Sequence, residues 1–127
     1  LLGYTSTELG NTLQELFDMV DRSVAADGTH PDGTFYFMNN PADVARNVRA
    51  TQYNSTLPLL SNAGGTGEII NGTLPLTRHD CLGVMSGFAT QNIEGADMTL
   101  LPGSFCDHLT SFGALFDPST QTKASEW

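Results

Sequence analysis

Gly33-Thr34-Phe35-Tyr36-Phe37-Met38 decides the fold. It is a β-branched and aromatic run with glycine before it and Asn39-Asn40-Pro41 after it, which predicts a strand. The run has no polar alternation. A strand that is apolar on both faces is an inner strand of a sheet covered on both sides. Immediately upstream, Leu13, Leu16, Phe17, Val20 and Val24 recur at three- and four-residue spacing, while Gln14, Glu15, Asp18, Asp21 and Arg22 fall on the opposite face. That spacing predicts an amphipathic helix over 12–26, capped by Asn11 or Thr12 and stopped by Gly28. The carboxylates on its polar face line a solvated surface rather than a cation or sugar site.

Downstream the same alternation of helix and short apolar strand continues. Residues 42–61 carry Val44, Val48, Tyr53, Leu57, Leu59 and Leu60 as an apolar side, with Pro58 expected to kink or break the helix. Residues 61–67 are a loop by composition, and 68–71, 81–89 and 98–101 read as strands. A last helix is expected from Gln121. The result is an α/β domain with three layers, a short and mainly parallel sheet flanked by helices, in a flavodoxin-like plan.

At 127 residues the chain holds one domain and one core. A hydrophobic fraction of 39% with 9% aromatic residues is that of a folded chain. Fourteen acidic groups against five Lys plus Arg leave a net charge of -9, which repels phosphate backbones and anionic lipid, so nucleic acid is excluded as a partner. No apolar stretch approaches the roughly 20 residues of a membrane-spanning helix, so no membrane insertion is expected. Leu1-Leu2-Gly3-Tyr4 lacks the basic start of a signal peptide, and the chain reads as an internal piece of a longer one. A truncated sheet leaves an unpaired edge, which predicts self-association. Asn54-Ser55-Thr56 and Asn71-Gly72-Thr73 fit the glycosylation acceptor pattern, which requires an exposed loop in a secreted chain. Cys81 and Cys106 are expected as two free, half-buried thiols.

Reactive chemistry is densest in Ser104-Phe105-Cys106-Asp107-His108-Leu109-Thr110-Ser111. Cys106, His108 and Asp107 are the candidate catalytic residues, a thiol, an imidazole and a carboxylate in succession. As a nucleophile Cys106 needs a depressed pKa and an imidazole within hydrogen-bond reach. Neighbouring side chains on an extended segment diverge, so the competing reading is a set of local bonds that fix the backbone. His79, Asp80, Asp107 and His108 have the right chemistry for zinc or iron, but their spacing matches no metal pattern and no metal site is assigned. Gly64-Gly65-Thr66-Gly67 lacks the flanking strand, helix and lysine of a phosphate loop, so no cofactor is assigned either.

Gly10-Asn11-Thr12, Ala26-Asp27-Gly28-Thr29 with Pro31, Gly33 to Phe37, Leu101-Pro102-Gly103-Ser104, Asp107 to Gly113 and Gln121-Thr122-Lys123 together resemble an uncharacterised bacterial family of predicted secreted proteins. The resemblance spans nearly the whole chain and implies a secreted or surface protein whose members continue beyond Trp127. A looser similarity runs to the caspase and gingipain type of cysteine peptidase, in which one strand ends in a catalytic His and the next in the catalytic Cys. Here Met85-Ser86-Gly87-Phe88 stands at the first of those strand ends without the histidine. The sequence therefore supports a non-catalytic structural or binding module, with a cysteine peptidase using Cys106 and His79 or His108 as the alternative.

Overall fold

A computed structural model describes residues 10–115 and 121–127; the opening Leu1 to Tyr4 falls outside them. The elements are α1 (Leu13–Ala26), β1 (Thr34–Asn39), α2 (Ala50–Asn62), β2 (Thr66–Asn71), β3 (Arg78–Gly87), β4 (Met98–Leu109) and a single 3-10 turn at Ala124–Glu126. The four strands form one sheet in the order β2-β1-β3-β4, with every pairing parallel. The α/β class and the parallel sheet are as the apolar pattern predicts, and β1 is an inner strand.

Helix α1 begins with a capping box. Glu15 N–H donates to Thr12 Oγ1 at 3.2 Å, and Thr12 N–H donates to Glu15 Oε2 at 2.6 Å. Gly28, at φ 72°, ends it in a left-handed conformation that costs glycine nothing.

The second helix starts eight residues later than its apolar spacing predicts. Residues 41–49 are instead a run of turns, held where Asn47 Oδ1 accepts from Asn40 N–H at 2.8 Å and Asp43 pairs with Arg46 at 2.9 Å. Short polar side chains that bond the nearby backbone compete with helix here. Pro58, expected to break the helix, lies inside it. Tertiary contact offsets the lost hydrogen bond: Leu57 and Leu60 seat so tightly over Gly67 that a Cβ there would meet both at 2.8 Å.

Register sorts the strand residues into two faces. Glu68, Tyr36, Val84 and Cys106 form one row across the sheet, and Ile69, Phe37, Met85 and Asp107 form the next row on the opposite face. Helix α2 covers the second face, where the Tyr53 ring packs 5.2 Å from that of Phe37. The first face carries the core of Tyr36, Met38, Cys81 and Val84. Its cover is irregular chain rather than helix. Ser86 Oγ, near the carboxyl end of β3, donates to Thr73 C=O at 2.6 Å, whereas Thr77 N–H donates to Asp97 C=O at 2.6 Å, beside the amino end of β4. The six residues 72–77 therefore run back along β3 with Pro75 fully buried. This crossover is half the usual length for parallel strands. Right-handed connections that run in opposite directions across a sheet lie on opposite faces, which explains why α2, leading from β1 to β2, takes one side and 72–77, leading back across β1 to β3, the other.

Strand β4 is the largest departure from the sequence pattern. It continues through Pro102 and Gly103 to Leu109, although 98–101 alone reads as a strand. Cys81 pairs with Leu100 and Gly83 with Phe105, so four residues on β4 oppose one on β3. Proline and the left-handed Gly103 (φ 81°) sit inside this bulge, and the ladder then resumes. The helix expected from Gln121 is reduced to the 3-10 turn. Asn54 is exposed but lies within α2 rather than in the loop that a glycosylation acceptor requires.

Candidate functional site

Strand geometry separates the three candidate catalytic residues. Cys106 and His108 project from the core face, and Asp107 projects from the helix-covered face. There the Asp107 carboxylate forms an ion pair with Arg49 Nη1 at 2.7 Å, linking the start of α2 to β4. Cys106 packs against the core cluster of Tyr36, Cys81 and Val84. Burial pushes its thiol up to about 11, opposed only in part by a backbone hydrogen bond at Val84. Both thiols are free, and Cys81 is fully enclosed.

His108 is held through both ring nitrogens. Its Nε2 lies 2.7 Å from Phe88 C=O, which can only accept, and its Nδ1 lies 3.3 Å from Trp127 Nε1–H, which can only donate. With Trp127 donating to Nδ1, the neutral ring carries its proton on Nε2, which also lies 3.2 Å from Gln91 Nε2. Burial, with Arg46, lowers its pKa from the ordinary value, against raising contributions from the Phe88 carbonyl, Glu126 and Asp107. The Trp127 indole stands edge-on to the imidazole, with ring centroids 5.8 Å apart. Around this pair Gln91 donates to Ser86 Oγ at 2.8 Å, and Gln91 N–H donates to Thr122 Oγ1 at 2.6 Å. Thr110 Oγ1 and Phe112 N–H both donate to Gln121 Oε1. The dense run of the sequence thus fastens residues 121–127 over the core face.

His79 does not reach Cys106. It lies five residues before Val84, the register partner of Cys106, or roughly 16 Å along the strand. It is exposed at the amino end of β3, with Nδ1 3.0 Å from Thr99 Oγ1 and Nε2 3.7 Å from Asp97. The four metal-type residues are likewise split between the two ends of the sheet. No group of three or more His, Cys, Asp or Glu side chains converges among the described residues.

In open parallel sheets a ligand commonly binds beyond the carboxyl ends of the two strands where the connections diverge, here β1 and β3. That crevice is filled by the chain itself. The Arg46 carbonyl oxygen lies so close to Gly87 that a Cβ there would sit 2.0 Å from it. Asn47 Nδ2 donates to Asn39 Oδ1 at 3.0 Å, and Asn39 Nδ2 donates to Asn71 Oδ1 at 2.9 Å, closing the edge with amides.

The open space is at the other end. A cleft of about 1550 Å³ lies between α1, the amino ends of the strands and the last turn of α2, with Val20, Val24, Phe35, Leu60 and Leu82 among its walls. Asp27, Asp32 and Asp80 also line it, and no Lys or Arg does. Asp80 is fixed by two donors, Tyr36 Oη at 2.7 Å and Thr34 Oγ1 at 2.8 Å, which hold its carboxyl below the usual carboxylate range. Desolvation and the same carboxylate push the Tyr36 phenol up to about 12.

Next to the cleft, α1 buries none of its residues. Leu13, Phe17, Val20 and Val24 are 55%, 56%, 46% and 70% exposed. The sequence pattern marks this apolar stripe, but not that it has no cover among the described residues. The cleft itself has no signal in the sequence, because its walls come from five separate stretches. Comparison of the chain with protein-family models, with curated proteins and with solved structures gives no match in any of the three.

Proposed function

We propose that this chain is a non-catalytic binding module of a secreted or surface-associated bacterial protein, with the cleft beside α1 as its binding surface. The observation that carries the reading is the state of Cys106, a thiol packed into the core with its pKa raised to about 11. A cysteine nucleophile needs the reverse, a depressed pKa and an adjacent base with a free lone pair. The neutral His108 uses its lone pair on Trp127. An exposed, contiguous apolar surface beside a large cleft is the usual mark of an interaction site. The bacterial and secreted setting rests on the sequence resemblance.

Alkylation tests this. Native protein is treated with iodoacetamide across a range of pH, and peptide mapping separates Cys106 from Cys81. Cys106 is expected to react about 100-fold more slowly at pH 8 than a free cysteine, from two pH units of lost thiolate. A rate profile for Cys106 with a midpoint below 8.5 would sink the reading in favour of a cysteine peptidase.

A further inference from the structure

We infer that the cleft takes a cationic amphipathic segment of a partner protein, with apolar side chains seated on α1 and Lys or Arg directed at the aspartates. The inference rests on the binding-module reading and specifies its ligand. Three observations carry it. At about 1550 Å³ the cleft exceeds the roughly 300–1,000 Å³ of small-molecule pockets, which suits a length of polypeptide. Its apolar wall continues outward through Val20 and Val24 onto Phe17 and Leu13, a stripe of four residues along one helix. An amphipathic segment laid along such a stripe buries its own apolar face there.

Charge selects the partner. Asp27 and Asp32 are exposed at the rim, and Asp80 is held ionised by Tyr36 and Thr34. A carboxylate accepting two bonds retains lone pairs for a third. The cation that acts on Asp80 is Arg78, whose guanidinium is paired with Glu68 at 3.3 Å. His30 is the only basic group in the lining. A second copy of this chain, at a net charge of -9, brings like charge to the same rim. A basic segment brings the opposite charge.

The test uses the full chain and two labelled peptides of about 14 residues, four helical turns. One is an amphipathic Leu/Lys sequence, and the other keeps the leucines and replaces every Lys with Glu. The expected result is saturable binding of the Leu/Lys peptide by fluorescence anisotropy and none of the Leu/Glu peptide. Two variants with equal loss of charge separate a site from general attraction. Asp27→Asn with Asp32→Asn should weaken binding about fivefold, from two rim ion pairs. Glu94→Gln with Asp97→Asn, neither of which lines the cleft, should leave it within about twofold, the effect of screened charges outside the contact.

Equal weakening by both variant pairs, equal binding of both peptides, or a dimer in sedimentation that Val24→Asp dissociates would each overturn the inference. Failure of the Leu/Lys peptide with Cys106 still unreactive rejects the cationic partner and leaves the binding-module reading standing. A reactive Cys106 rejects that reading whichever peptide binds.

Discussion

The two ends of the sheet handle their polar groups in opposite ways. At the carboxyl ends polar side chains bond one another in a network, although Arg46 Nε, Arg49 Nη1 and Gln91 Oε1 are buried there without a hydrogen-bond partner. His108 holds Trp127 and Phe88, Gln91 holds Ser86 and Thr122, and the segment after β1 fills the crevice over Gly87. At the amino ends, Asp27 and Asp32 face solvent around an open cleft, and the apolar stripe of α1 has no cover among the described residues. Closely paired polar groups add rigidity and leave no chemistry for a substrate, whereas uncovered apolar surface retains free energy to be gained on association. The density of reactive residue types in the sequence therefore points to the rigid end, and the vacant surface marks the other.

Substitutions at the two ends should differ in proportion. The largest effect is expected at Gly87→Ala, where a methyl group 2.0 Å from the Arg46 carbonyl oxygen forces backbone to move, at about 3–4 kcal/mol in urea unfolding. A loss under about 1 kcal/mol would mean that residues 41–49 yield readily and the crevice is not sealed. Met38→Ala empties a fully buried core position and should cost about 3 kcal/mol.

Trp127→Phe removes the donor to His108 Nδ1 and should cost about 1–2 kcal/mol by leaving a half-buried acceptor unpaired. The same contact gives a pH dependence. Burial holds the folded-state pKa of His108 below its ordinary 6.5, so the unfolded chain takes up a proton first as pH falls. Stability from this site is present above pH 6.5 and declines below it, until the folded ring itself protonates. His108→Gln should flatten that decline, and the emission of Trp127, the only tryptophan, reports it directly. An unchanged pH profile in His108→Gln would remove His108 as the pin of residues 121–127.

The smallest effect is expected at Val24→Ser on α1. At 70% exposure this residue should change stability by less than about 0.5 kcal/mol while weakening capture of the Leu/Lys peptide. A large loss of stability there would show that the stripe is core and erase the contrast between the two ends.

Much of the fold was legible because local pattern and tertiary role agree. Phe35, Tyr36 and Phe37 read as an inner strand, and the stripe from Leu13 to Val24 reads as a helix starting at Thr12. The misread stretches are those where a tertiary contact overrides local preference. Pro58 is carried inside a helix by Leu57 and Leu60 against Gly67, and Pro102 and Gly103 are absorbed in a bulge of an otherwise paired strand. Among site residues, Cys106, Asp107 and His108 are conspicuous by type. Trp127, Gln91 and Ser86, which surround His108, come from two stretches far from each other and from His108, 86–91 and the residue at 127, with no shared motif.

By itself the sequence determined the α/β class, the amphipathic first helix and the strongly acidic surface, since each follows from side-chain periodicity or a sum of charges. Only the tertiary structure decided that Cys106 is core, that His108 is a neutral pin, and that the open surface lies at the amino ends of the strands. Burial and hydrogen-bond partnership depend on residues far apart in the chain, and the pKa of a thiol or imidazole follows its surroundings rather than its neighbours in sequence.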